Sequence, residues 1–268
     1  MQGIVPGARH LREGRTCQDA VHGGSRNAVV AVAVADGHGT SARGDVGAAI
    51  AVGVAIDQLL RFADALGPGR TPEEILAFGM HPLRIHLVRE WVGRVRRHAG
   101  SDAVDLQRYG STLLFAMASP EWLLMGQLGD GDLLFVDGSG RVHRPIPSDP
   151  ASFADETASL CQEEAWAALR LRTRRPPEGE ALLILATDGY GKSYASDSDF
   201  ERIGPDYLDL FRDSGPSGVH DRLPGFLETV SARGSGDDIA VGMLYWSPVG
   251  LEPLQEPEQD GGTSCGRS

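Results

Sequence analysis

The sequence predicts an α+β fold in which helices cover an antiparallel sheet or a pair of sheets. Three observations predict it. The apolar patterns run strand, two helices, several strands, two helices, strand, which is not a regular βαβ alternation. The runs at 27–35 and 182–188 are apolar on both strand faces, so each lies between two layers. Between them, short apolar runs are separated by turn residues, as in an antiparallel meander.

In chain order, residues 1–26 are rich in Gly and Arg and read as a short strand mixed with loop. In the strand at 27–35, Val30, Val32 and Val34 face one way and Ala31, Ala33 and Ala35 the other. Residues 43–66 predict a helix whose first half is apolar nearly all round, which indicates burial. Gly67-Pro68-Gly69 ends it. Thr71 as N-cap, Pro72 at the first helical position and Glu74 at the capping-box position begin a second helix. That helix runs to about His98, with Gly79 and Pro82 as interruptions. The meander is YGSTLLFAMA (109–118), EWLLMGQLGD (121–130) and DLLFVDGSGRVHR (132–144), with Asp137-Gly138 as a hairpin turn.

Residues 145–180 are polar and irregular, and the stretch 145–200 is expected to hold a flap beside a cleft. RLRTRRPPEGE (170–180) carries four arginines and reads as a solvated strand edge, with recruitment of an acidic substrate as the second reading. After the strand at 182–188 come helices near 205–213 and 217–233, and then a final strand, DDIAVGMLYW (237–246). From Ser247 onward the chain is Pro, Gly, Glu and Gln without periodicity. One domain over 1–246 and a disordered tail over 247–268 are therefore expected.

Composition narrows the function classes. A net charge of -12 over 268 residues opposes both nucleic acid and anionic membrane as partners, because such binding rests on Lys and Arg. Lys192 is the only lysine. Cys17, Cys161 and Cys265 form neither a disulfide framework nor a CxxC pattern. The N-terminus lacks a signal-peptide core, and the longest apolar run, Val46 to Ile56, is too short to span a bilayer. A cytoplasmic location is the expectation.

The chemistry lies in the aspartates. Asp36 ends the first buried strand in VVAVAVADGHGT, and Asp188 ends LLILATD. Asp19 precedes the first strand region, and Asp237 and Asp238 open the last strand. Ionised carboxylates at the ends of buried strands are costly unless neutralised, and no arginine lies within four residues of Asp36 or Asp188. A divalent cation is the other solution, and carboxylate and carbonyl oxygens suit Mg²⁺ or Mn²⁺. Gly37 lets the backbone approach closely enough for its carbonyl to serve as a ligand. A single Asp-Gly after a strand is ordinarily a turn, as at Asp137-Gly138, so the signal is the set.

Taken in order, GRTCQDA (14–20), ADGHGT (35–40), YGSTLLFAMA, QLGDGDLLFV, ATDGYGKS and GDDIAV resemble the motifs of the metal-dependent serine/threonine phosphatases of the protein phosphatase type 2C family. The resemblance spans roughly residues 7–246. It implies a four-layer α-β-β-α sandwich of two antiparallel sheets flanked by helices, with two Mn²⁺ or Mg²⁺ ions per chain at one edge. It implies that Asp36 bridges the ions, that the Gly37 carbonyl binds one, and that Asp188 and Asp237 hold the other. Asp19 acts mainly through ordered water. A bridging water between the metals would then attack phosphoserine or phosphothreonine in a protein substrate directly, with His38 as general acid. No nucleophile is assigned to Cys17 or Ser41, and Cys17 reads as a small buried hydrophobe.

The sequence departs from the family pattern at three places. Gln18 stands where many members carry glutamate. Gly14 occupies the position of the arginine that grips substrate phosphate, so Arg15 is the expected substitute, with Arg12 nearby and His10 a further residue of the cleft. Lys192 replaces an aspartate that helps hold a third metal, while Asp130 keeps the other usual position for it. These departures motivate an alternative, an inactive pseudophosphatase that acts as a binding module. A two-metal nuclease is disfavoured by the net charge.

Overall fold

The computed structural model describes residues 1–67, 69–79, 81–147, 157–247 and 250–251. The chain begins with β1 (Gln2–Val5), α1 (Ala8–Glu13), β2 (Asp19–Arg26), β3 (Val29–Asp36), α2 (Gly44–Leu66), α3 (Pro72–Gly79) and α4 (Pro82–Ala99). A short 3-10 turn at Leu106–Tyr109 leads to β4 (Leu113–Ala118), β5 (Leu123–Leu128), β6 (Asp132–Asp137) and β7 (Val142–His143). Then come α5 (Ala165–Ala168), β8 (Arg170–Arg174), β9 (Ala181–Ala186), α6 (Asp188–Gly191), α7 (Asp197–Glu201), α8 (Ile203–Arg233), β10 (Ile239–Ser247) and β11 (Gly250–Leu251).

These strands form two antiparallel sheets. One has the order β1-β10-β9-β6-β7, with β11 paired to β10, and the other the order β2-β3-β4-β5-β8. The strand period of two sorts each strand between two apolar layers. Val30, Val32 and Val34 of β3 meet Leu183, Leu185 and Ala240 of the facing sheet, and this layer holds the sandwich together. Ala31, Ala33 and Ala35 turn outward to α2 and α4, where Leu59, Leu87 and Trp91 are buried. Leu182, Ile184 and Ala186 of β9 face Leu208, Phe211 and Leu223 of α8. Each large apolar side chain so buried contributes about 1.5–3 kcal/mol. Gly242 lets the sheets approach, because a Cβ there would lie 2.5 Å from Val32 Cγ2.

The expected capping box is present. The Thr71 N–H donates to Glu74 at 3.0 Å, and the Glu74 N–H donates to Thr71 Oγ1 at 3.2 Å. The helix predicted over 71–98 is two helices, α3 and α4. The two predicted helices near the C-terminus are the halves of α8, which kinks at Gly215 with φ 65°. Arg170–Arg174 form β8 at the margin of its sheet, and such charges discourage further strand pairing there.

Three expectations are corrected. Residues 8–13, expected as loop, form α1. The meander is split: β4 and β5 pair with each other, but β6 crosses to the other sheet and pairs with β9. The crossing occurs at Gly129, with φ 100°, and Gly131, where a Cβ would sit 2.7 Å from the Ala186 carbonyl. Cys17, expected as a small buried hydrophobe, is only half-buried. Ser247 closes β10 and pairs with Gly250. Most of the expected tail lies outside the described residues. Helix α2 has 23 residues and is long and apolar enough to cross a membrane, but its apolar side chains pack into the layer over β2 and β3.

Candidate functional site

One end of the sandwich is built by strand ends from both sheets. Asp19 and Asp36 are register partners across β2 and β3, so their side chains lie on the same face. Asp36 is anchored through its backbone: its N–H donates to Thr112 Oγ1 at 2.9 Å, and its carbonyl accepts from the Thr112 N–H at 2.9 Å. The next residues are stapled in turn. The Gly37 N–H donates to the Gln18 carbonyl at 3.0 Å, and the His38 N–H to the Gly110 carbonyl at 3.0 Å. Gly37 admits no side chain, since a Cβ would lie 2.3 Å from the Gly44 backbone. Gly110 likewise clears room for the His38 ring, whose Cδ2 would be 2.7 Å from an added Cβ.

The facing sheet contributes Asp188, at the start of α6 after β9, and Asp237, just before β10. Asp188 forms an ion pair with Lys192 one helical turn later. Asp237 meets Arg9 Nη2 at 3.4 Å and His10 Nε2 at 3.3 Å. Asp238, beside it, is buried. It accepts from the Gly7 N–H at 2.6 Å, the Gln18 N–H at 2.7 Å and His10 Nδ1 at 2.9 Å. Asp238 thus ties α1 and the segment before β2 to the last strand. Thr187 supports the site from beneath: its hydroxyl donates to Asp19 Oδ2 at 2.6 Å, and its oxygen accepts from the Ala240 N–H at 2.9 Å.

Asp19, Asp36, Gly37, His38, Arg15, Asp188 and Asp237 all line one cleft of about 550 Å³. The sequence-predicted residues are therefore brought together. Arg15 donates to Gln18 Oε1 at 3.1 Å and stands at the cleft wall, as does Arg9. Asp130 also lines the cleft, where it accepts from Thr157.

The electrostatics of the cleft are unbalanced. Burial, and then the charges of Asp36 and Asp238, push the Asp19 carboxyl well above the usual carboxylate range. Burial, and then Asp188 and Asp130, do the same to Asp36. Asp188 is also raised by burial and Asp130, with Lys192 opposing. Burial draws Lys192 down, but its bond to Asp188 and the charges of Asp188, Asp130 and Asp36 reverse this and raise it. Burial lowers the His38 pKa, with Asp130 acting against it. A set of hard oxygen donors that repel one another, with a glycine carbonyl at hand, fits Mg²⁺ or Mn²⁺. Among the described residues, the group with three potential donor atoms within 4.8 Å of one another is His10, Asp237 and Asp238.

Sequence reasoning missed the parts played by Thr187, Arg9 and Asp238, and it gave His10 no role beyond facing the cleft. The adjacent pair Asp237-Asp238 held a usable signal. Two adjacent carboxylates before a strand can divide the work, Asp237 meeting Arg9 and His10 while Asp238 takes the backbone N–H groups of Gly7 and Gln18.

Two sheets with flanking helices and an acidic cleft at their strand ends define the architecture of a metal-dependent phosphatase. The family model of protein phosphatase 2C matches residues 6–228. The chain belongs to the protein phosphatase 2C family.

Solved structures share the fold. The catalytic domain of the serine/threonine phosphatase PstP, solved with two manganese ions, is 15% identical with a TM-score of 0.58, covering 91% of this chain and 96% of that one. RsbX, solved with magnesium, is 14% identical with a TM-score of 0.53, covering 94% of each chain. PppA of Pseudomonas aeruginosa is 20% identical with a TM-score of 0.57, covering 91% and 95%. Among curated protein sequences nothing matches.

Proposed function

We propose that this chain is an active phosphoprotein phosphatase that hydrolyses phosphoserine and phosphothreonine directly with the help of two divalent cations. The observation that carries the reading is the register pairing of Asp19 with Asp36 at the mouth of a cleft that also receives Asp188 and Asp237 from the facing sheet. Asp36 and the Gly37 carbonyl would hold one ion, and Asp36, Asp188 and Asp237 the other, with Asp19 acting through ordered water. When bound, the ions supply an acidified water as nucleophile near neutral pH and offset the charge of the phosphoryl group.

The remaining work falls to the chain. Arg15 at the cleft wall orients the phosphate oxygens, a task suited to its planar guanidinium. His38 protonates the departing serine or threonine oxygen. Its lowered pKa makes the protonated ring a stronger acid and reduces its population at neutral pH. Thr187 fixes Asp19, and Asp238 fixes the backbone of Gly7 and Gln18, so the cleft is shaped before substrate arrives.

One observation favours a second reading. Lys192 already neutralises Asp188, and a chain with a built-in cation there can keep the fold as a binding module without turnover. The test is hydrolysis of a phosphothreonine peptide with Mn²⁺, Mg²⁺ or EDTA, with Asp36→Asn alongside. Turnover that needs metal and falls at least a hundredfold in the variant supports the phosphatase. Metal binding without turnover supports the binding module.

A further inference from the structure

We propose that Arg9 and Arg12 form a subsite at the rim of the cleft for a second anionic group, a carboxylate or a further phosphate, which the substrate carries beside its phosphoserine or phosphothreonine. The inference rests on the phosphatase reading above and deepens it, because it makes the substrate class an acidic phosphoprotein segment.

The geometry points to α1 in three steps. First, the helix is a fixed platform. At its start the Gly7 N–H donates to Asp238 Oδ1 at 2.6 Å, the Ala8 N–H to Ser231 Oγ at 3.0 Å and the Arg9 N–H to the Gly236 carbonyl at 2.8 Å. At its end Gly14 is left-handed with φ 67°, and the Arg15 N–H returns to the His10 carbonyl at 2.9 Å. His10 is 4% exposed and forms the inward side of the helix, while Arg9 and Arg12 are exposed. Residues three apart on a helix are surface neighbours, so the two arginines lie side by side.

Second, their charges are available. Arg12 has no hydrogen-bond or ion-pair partner among the described residues. Arg9 meets Asp237 at 3.4 Å, but its side chain is 47% exposed, so water screens the pair. Glu13, the one carboxylate of α1, stands 3.6 Å from Arg15. Third, the position is right. Arg9 lines the cleft together with Arg15, the residue read above as holding the phosphate to be cleaved. The stretch ARHLREGR (8–15) sets three arginines against one glutamate in a chain of net charge -12. Such a chain repels acidic segments over most of its surface, and this local reversal of sign steers them to the cleft. Guanidinium forks suit the oxygens of carboxylates and phosphates.

The test is steady-state hydrolysis of phosphothreonine peptides by the Mn²⁺-loaded protein. The peptides differ in one residue, placed at successive positions on either side of the phosphothreonine: Ala, Glu, Lys or a phosphonate analogue of phosphoserine that is not hydrolysed. Glu and phosphonate peptides are expected to exceed the Ala peptide in kcat/KM by roughly three- to tenfold, with the Lys peptide below it. The preference should fade as salt is added. Arg12→Glu is expected to invert the order in favour of Lys, and Arg9→Gln to weaken the preference. Each result is a ratio between peptides on one enzyme, so a variant with reduced overall activity still reports. Arginines that serve only the structure would lower every peptide alike. A gain confined to the Glu or to the phosphonate peptide supports the subsite and names its anion. Equal kcat/KM for the Ala, Glu, Lys and phosphonate peptides in the wild type, or an unchanged preference in Arg12→Glu, overturns the proposal. Absence of turnover on every peptide sinks the phosphatase reading and this proposal with it.

Discussion

Asp19 and Asp36 stand directly opposite each other across β2 and β3, and their carboxyl groups are within hydrogen-bonding reach. Like charges in that position destabilise a sheet, so this pairing costs the metal-free fold stability that a bound cation would return. Both carboxyls have pKa values raised well above the ordinary range, chiefly by burial. A raised carboxyl pKa means the folded state keeps protons that the unfolded chain has released. Its stabilising effect is complete below the unfolded pKa of about 4 and is lost as pH rises through the folded value.

Asp36→Asn is accordingly expected to stabilise the protein in EDTA, on the order of 1 kcal/mol or a few degrees in Tm at pH 7. The advantage should shrink towards pH 4. In Mn²⁺ the order should reverse, with the wild type the more stable. Thermal unfolding of both proteins in EDTA and in Mn²⁺ across this pH range checks it. A variant less stable than the wild type in EDTA at every pH would show that the carboxylate pair is not strained.

If Asp188 holds a metal ion as proposed, Lys192 competes with it for that carboxylate. Its ammonium pairs with that carboxylate, but its side chain is 59% exposed, so screening makes the competition modest. Lys192→Met is expected to raise Mn²⁺ affinity a few-fold in calorimetric titration. A fall in affinity would mean that the lysine supports the centre instead.

Thr187→Val removes the hydroxyl that holds Asp19 and keeps the side-chain shape. It also leaves the Ala240 N–H without its side-chain acceptor. The expected result is a loss of about 1–2 kcal/mol in stability and roughly tenfold weaker Mn²⁺ binding. Thr187→Ser should restore most of both. Equal affinities for wild type and Thr187→Val would show that Asp19 needs no such support.

If His38 protonates the leaving oxygen, its loss matters in proportion to the basicity of that oxygen. His38→Asn is expected to slow phosphothreonine peptide hydrolysis about 10²–10⁴-fold while slowing p-nitrophenyl phosphate hydrolysis far less. Equal losses on the two substrates would assign His38 to positioning.

Much of this was legible in the sequence because two signals were strong. The Val/Ala alternation before Asp36 and the LLILA run before Asp188 marked strands buried on both faces, and carboxylates at their ends demanded a partner. What was not legible depended on tertiary approach. The crossing of β6 into the other sheet turns on the backbone freedom of Gly129 and Gly131, and nothing in the apolar periodicity of 123–137 distinguishes it from a hairpin. The contacts of His10 and Asp238 join residues 228 apart in sequence, and no local pattern carries such a pairing. The short α1 escaped notice because its six residues leave no room for a helical repeat.

The central claim is that the cleft carboxylates are built around divalent cations. Calorimetric titration of the wild type and Asp36→Asn with Mn²⁺ tests it most directly. The account predicts two bound ions in the wild type and loss of at least one in the variant. No Mn²⁺ binding by the wild type, or identical binding by the two proteins, would contradict it.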